Sequence, residues 1–93
     1  MKEHLIGRFA VSEAGHDRDT VYVIIAEDEK YLYLSDGRFH TLDKPKRKNR
    51  RHVRLMCSRV SGDIQEHLLQ KEKLYDHQVR YAIKHIGKEE GYV

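Results

Sequence analysis

Hydrophobic and polar positions change their period once along this chain, near Gly62. Residues 7–12 (GRFAVS) alternate, Phe9 and Val11 on one side and Arg8 and Ala10 on the other, which predicts a first strand. Residues 13–19 (EAGHDRD) form a turn-rich loop in which Gly15 supplies a positive φ. Residues 20–26 (TVYVIIA) and 31–36 (YLYLSD) are β-branched and aromatic, and 27–30 suit a tight hairpin with its two-residue loop at Asp28-Glu29. That register sets Ile25 opposite Leu32 and Val23 opposite Leu34 on one face, with Ile24 opposite Tyr33 on the other. Asp36-Gly37 predicts a type I′ turn into a strand over 38–42, with Phe39 beside Leu34. Pro45 interrupts the sheet, and 52–58 alternate again as a fifth strand, with Val53, Leu55 and Cys57 inward and His52, Arg54 and Met56 outward. Short strands at this spacing predict a mainly β fold, a small closed or nearly closed five-stranded barrel.

Beyond Gly62 the period becomes helical. Asp63 is placed to cap a short helix with Ile64, Leu68 and Leu69 on one side. Asp76 is placed to cap a second over 77–86, with Val79, Ala82, Ile83 and Ile86 inward and Gly87 as its stop. The face holding Tyr22, Ile24, Tyr31 and Tyr33 is too apolar to stay wet, and this helical tail is its natural cover. The resulting organisation is a barrel over 1–60 and a helical C-terminal extension over 61–93 packed on it, fraying over 88–93.

Composition narrows the class. At 93 residues there is room for one core, and 39% hydrophobic against 35% charged residues describes a small core with a charged periphery. No apolar run approaches the ~18 residues of a membrane span, and the first residues lack a signal peptide's apolar stretch, so a soluble, cytoplasmic protein is expected. The lone Cys57 excludes an internal disulfide and a thiolate zinc site. Of the 18 Lys and Arg, eight lie between Lys44 and Gly62, a window with no Asp or Glu; the other ten are outnumbered by the 15 acidic residues. A concentrated cationic patch on a slightly acidic body points to nucleic acid, because each neutralised phosphate releases condensed counterions. An anionic membrane fits less well, since no Trp, Phe or Leu is interleaved between Lys44 and Arg54 to enter the interface.

The strongest candidate contacts are Lys44, Lys46, Arg47, Lys48, Asn49, Arg50, Arg51 and His52, read as a flexible cationic loop that follows a phosphate backbone beside a sheet, with Arg54 on the outward face of the fifth strand as a further candidate. Asn49 has two readings, a base or sugar hydrogen bonder and a turn residue. Tyr22, Tyr31 and Tyr33 are suited either to stacking on bases or to the core; the core is favoured because Ile24 shares their face. Neither a nucleophile elbow, a phosphate loop nor a catalytic carboxylate pair occurs, and no two histidines stand at helical i, i+4 spacing, so no enzyme, metal, cofactor or small-molecule substrate is expected.

Two segments, GRFAVSEAGHDRDTVYVII and SDGRFHTLDKPKRKNRRHV, carry a resemblance to the KOW-domain RNA-binding proteins of Gram-positive bacteria, which are similar to large-subunit ribosomal protein 14 of archaea and eukaryotes. It covers about residues 5–57 and rests on the order of V-S-x-A-G, Y-V-I, D-G and K-P-K-x-K-N. The resemblance implies an SH3-like barrel that contacts RNA, often ribosomal, through its first loop and basic segment. It therefore adds Ser12, Gly15, His16, Arg18 and Arg38 to the candidates. Arg18 has a competing use, pairing with Asp17 or Asp19. Two positions depart from the family pattern: His16 stands where Arg is usual, and Asp19 where a second loop glycine is usual. The expected function is a non-enzymatic RNA-binding module of the ribosome or its assembly. The alternative is an SH3-like protein-interaction module docking on a ribosomal or transcription partner.

Overall fold

The computed structural model describes residues 5–70 and 74–89. Five strands, β1 (Arg8–Ser12), β2 (Val21–Glu27), β3 (Tyr31–Ser35), β4 (Lys46–Asn49) and β5 (Val53–Arg59), form one antiparallel sheet in the order β4-β3-β2-β1-β5. A 3₁₀ turn, Arg50–His52, joins β4 to β5, and helices α1 (Gly62–Leu69) and α2 (Asp76–Glu89) follow. The fold is mainly β, and the barrel does not close: β4 and β5 remain the two edges of the sheet.

Alternation along the strands builds two apolar layers. Ala10, Tyr22, Ile24, Leu32 and Leu34 pack together on one side of the sheet, with Leu5 and Val53 against them. Phe9, Val11, Val23, Met56 and Val60 face the other way and are covered by Val79 and Ile86, with Ile64, Leu68, Ala82 and Ile83 packed around them. Tyr22, Val23 and Ile24 of β2 are consecutive and all buried, because both faces of that strand are occupied. The helices thus cover the Phe9, Val11 and Val23 face, not the expected one.

The β2–β3 register also differs from the expected pairing: Ile24 pairs with Leu34 and Val23 with Ser35, and the ladder shifts between Ile24 and Ala26. An irregularity at Ile25 moves every later side chain. The connection is organised by the Asp28 carboxylate, which accepts from the Lys30 and Tyr31 amides and from the Tyr33 hydroxyl. Tyr31 and Tyr33 consequently part company with Tyr22 and Ile24.

Residues 38–42 are not a strand. The Asp36 carboxylate accepts from the amides of Arg38 and His40, the Ser35 hydroxyl donates to the His40 carbonyl, and the Leu42 amide donates to Asp76 of α2. Side chains consume the backbone groups a ladder would need. Gly37, at φ +71°, fits because a Cβ there would collide with the Asp76 carbonyl oxygen, while the Arg80 guanidinium donates to the Gly37 carbonyl at 2.5 Å. Phe39 is left 81% exposed instead of resting beside Leu34. The fourth strand lies later, immediately after Pro45, inside the basic run.

Along β5 Arg54 is exposed as expected, but the ladder to β1 shifts register between Arg8 and Ala10 and the expected burial is reversed at Leu55, Met56 and Cys57. Met56 is buried beneath the helices, whereas Leu55 and Cys57, on the opposite side of an edge strand, are exposed and Val53 only partly buried. Leu55 stands opposite Ala10, where the open barrel leaves it uncovered. Ser61, not Asp63, occupies the N-cap of α1, and Leu69 is exposed. The Asp76 carboxylate is spent on the Leu42 amide, and α2 continues through Gly87 to Glu89. Of the frayed end expected over 88–93, Lys88 and Glu89 are helical, and 90–93 lie outside the described residues. Among the described residues no helix is long and apolar enough to cross a membrane.

Candidate nucleic-acid interface

Loop 13–20 is folded around one carboxylate. Asp17 Oδ1 lies 2.7 Å from Lys48 Nζ and accepts from the Ser12 hydroxyl at 3.0 Å; Oδ2 accepts from the Tyr22 hydroxyl at 2.9 Å and lies 3.4 Å from Lys46 Nζ. Lys48 also donates to the Ala14 carbonyl at 2.6 Å. Burial by itself would push the Asp17 carboxyl up, but hydrogen bonds from Lys48, Tyr22 and Ser12 and the nearby Lys46 charge outweigh it and hold the group well below the usual carboxylate range. Burial, reinforced by the bond to Asp17, pushes the Tyr22 phenol well above its usual range. The loop backbone suits this arrangement: Gly15 is at φ +87° and Asp19 at +71°.

The Asp17–Lys48 pair draws the first loop onto β4, and the Glu13 amide donates to the His52 carbonyl, fastening its start to the 3₁₀ turn. Two segments far apart in sequence become one surface. Within it the candidate residues divide sharply. Ser12 is fully buried, and its hydroxyl is spent on Asp17, with the Ala14 carbonyl as alternative acceptor. Lys48 is buried and Lys46 half-buried, both turned to Asp17. Arg50 pairs with Glu27 at 2.9 Å and donates to the Asp28 carbonyl, tying the 3₁₀ turn to the β2–β3 connection. Asn49 takes the turn role: its side-chain oxygen accepts from the Arg51 amide at 3.1 Å.

Lys44, Arg47, Arg51, His52, His16 and Arg18 are exposed, and among the described residues none of them forms an ion pair. Arg54 lies 3.9 Å from Glu13 with both side chains about half exposed, a weak pair. Arg38 is exposed on a separate loop fastened to α2. The expected flexible cationic loop is therefore largely an edge strand and a turn, with half of its charge committed internally.

The β3–β4 register puts Tyr33 opposite Arg47 and Tyr31 opposite Asn49. The Arg47 guanidinium sits over the Tyr31 ring, 4.6 Å from its centroid. Tyr31 and Tyr33 are partly exposed, whereas Tyr22 is core. Sequence reasoning missed Asp17 as the organiser of the loop; the only signal was an acid two positions beyond the positive-φ glycine, and its partner lies 31 residues away. No three His, Cys, Asp or Glu side chains among the described residues gather to hold a metal ion. In comparisons with known proteins, no family model and no curated protein matches the chain.

Proposed function

We propose that the protein is a non-enzymatic RNA-binding module, associated with the ribosome or its assembly, that holds the phosphate backbone with the first loop and the β4–3₁₀ segment together. The observation that carries this reading is the Asp17–Lys48 junction, which fastens the first loop, with His16 and Arg18 exposed, to the β4–3₁₀ segment, with Lys44, Arg47, Arg51 and His52 exposed. Preordered cations lose less freedom on meeting phosphate than a flexible run does. Support also comes from Asp19, which takes a left-handed conformation rare for a non-glycine residue at the position where the resembling family usually has glycine. A Cβ is tolerated there because Asp is among the residues best able to adopt that region.

The test is salt titration of binding to a structured RNA. Four to six neutralised phosphates correspond to a log-log slope of about −3 to −5. Replacing Lys44, Arg47 and Arg51 together by Gln is expected to flatten that slope by about 2 to 2.7 without lowering the melting temperature. An affinity indifferent to salt would instead favour the protein-interaction reading. That second reading has one observation in its favour, Phe39 standing 81% exposed on a loop already ordered by Asp36, Ser35 and Asp76.

A further inference from the structure

The outer face of β3 and β4 differs from the rest of the sheet. Helices cover the sheet at Phe9, Val11, Val23 and Met56, but Tyr31 and Tyr33 belong to neither apolar cluster and remain partly exposed. Both rings have fixed partners. Tyr33 donates its hydroxyl to Asp28 at 2.8 Å, and Tyr31 carries the Arg47 guanidinium over its face with the Lys30 ammonium 5.8 Å from the same centroid. Arg47 differs from its neighbours Lys46 and Lys48, which share the Asp17 carboxylate, and Arg50, which pairs with Glu27. It is positioned by a ring, so its charge is kept and its outer side faces solvent.

We infer that Tyr31, Arg47 and Tyr33 form a stacking site for an unpaired nucleobase of the bound RNA, the base lying on the exposed side of the Arg47 guanidinium and extending the Tyr31–Arg47 stack. The inference rests on the RNA-binding reading. A guanidinium plane stacks on bases as aromatic rings do, and a ring beneath it keeps the plane oriented. Hydrogen bonds from the Tyr31 and Lys30 amides and the Tyr33 hydroxyl hold the Asp28 carboxyl below its ordinary value, so it stays charged beside the platform and repels phosphate. A flat, uncharged base attached to a backbone running over Arg51 and Lys44 meets both demands.

The experiment uses the full chain and two RNA probes: a hairpin with 2-aminopurine as an unpaired loop base, and a fully paired duplex of the same length. Wild-type protein is expected to quench the 2-aminopurine fluorescence on binding. Tyr31→Ala should abolish the quenching and weaken hairpin binding about tenfold, leaving duplex affinity and salt slope unchanged. Tyr31→Phe should restore both. Arg47→Lys keeps the charge but loses the plane, so it should keep the slope and lose the quenching, which remains a clean test if Tyr31→Ala fails to fold. Quenching equal to wild type in Arg47→Lys, or hairpin binding untouched in a folded Tyr31→Ala, overturns the stacking site while the RNA reading stands. Failure of the wild type to bind either probe overturns both.

Discussion

Lys48 and Arg47 are neighbours in sequence and carry the same charge, yet the protein puts them to opposite uses. Strand alternation turns Lys48 inward, where it is buried against Asp17 and the Ala14 carbonyl, and turns Arg47 outward onto Tyr31. The inward row of β4 is architecture, and Arg47 in the outward row is surface. The lesson concerns charge counting. A dense basic run states how much charge is present, but only the period-2 pattern of the strand it becomes decides how much is left for a ligand.

The largest effect that could break this contrast is on stability. Lys48→Met leaves the Asp17 carboxylate short of its closest cation in a nearly buried setting, and is expected to cost about 2–4 kcal/mol by denaturant unfolding. Arg47→Met, on the surface, is expected to change stability by less than about 0.5 kcal/mol. Equal losses in the two variants would erase the distinction.

Acid titration reads the same inward row. Because the Asp17 pKa is lowered on folding, its stabilising contribution is fully present above the unfolded carboxylate value of about 3.9 and is lost as pH falls through the lower folded value. The stability gap between wild type and Asp17→Asn should therefore be constant from neutral pH down to about pH 5 and narrow steadily in stronger acid. A gap that is flat down to pH 2 would mean the carboxylate is not engaged.

A smaller effect sharpens the outward row, which is not all surface. Asn49 faces outward but caps the 3₁₀ turn through the Arg51 amide, so Asn49→Ala should cost about 0.5–1 kcal/mol, several times less than Lys48→Met. The opposite edge strand repeats the comparison without charge: Met56 is buried and Cys57 exposed. Cys57→Ser should be thermally silent, and the native thiol should react with a maleimide at a rate close to that in denaturant. Strong protection of the thiol would show that β5 is covered on its second face.

How much of this was legible in the sequence depends on the distance over which each feature is decided. Strands β1, β2 and β3 follow from local alternation and branched residues, and the inward stripe of α2, with Val79 and Ile86 buried, follows from the 3.6-residue period. Asp36-Gly37 misled because hairpin chemistry assumes free backbone groups, whereas Asp76 and Arg80, far along the chain, claim those of the 36–42 loop. The side of β5 that is buried could not be read from its own residues, since alternation reports two sides without saying which one the helices will cover. The cation-rich candidates were legible as a set; their division into committed and available members was not, because Asp17 reaches Lys48 only through the fold.

The position of β1 between β2 and β5 has a consequence for the order in which the chain is made. Its partner on one side, β2, is the next strand synthesised, but its partner on the other is β5, with Ser12 paired to Val53. At about 5–20 residues per second of translation, the nascent protein spends some seconds with one edge of β1 unpaired and the apolar face at Phe9, Val11 and Val23 bare, because the helices that cover that face come later still. Such an edge is a template for another chain. β1 acquires its second neighbour only once β5 has been made, so a product cut short in the basic run would keep the exposed strand and lose both β5 and the helices that hide it.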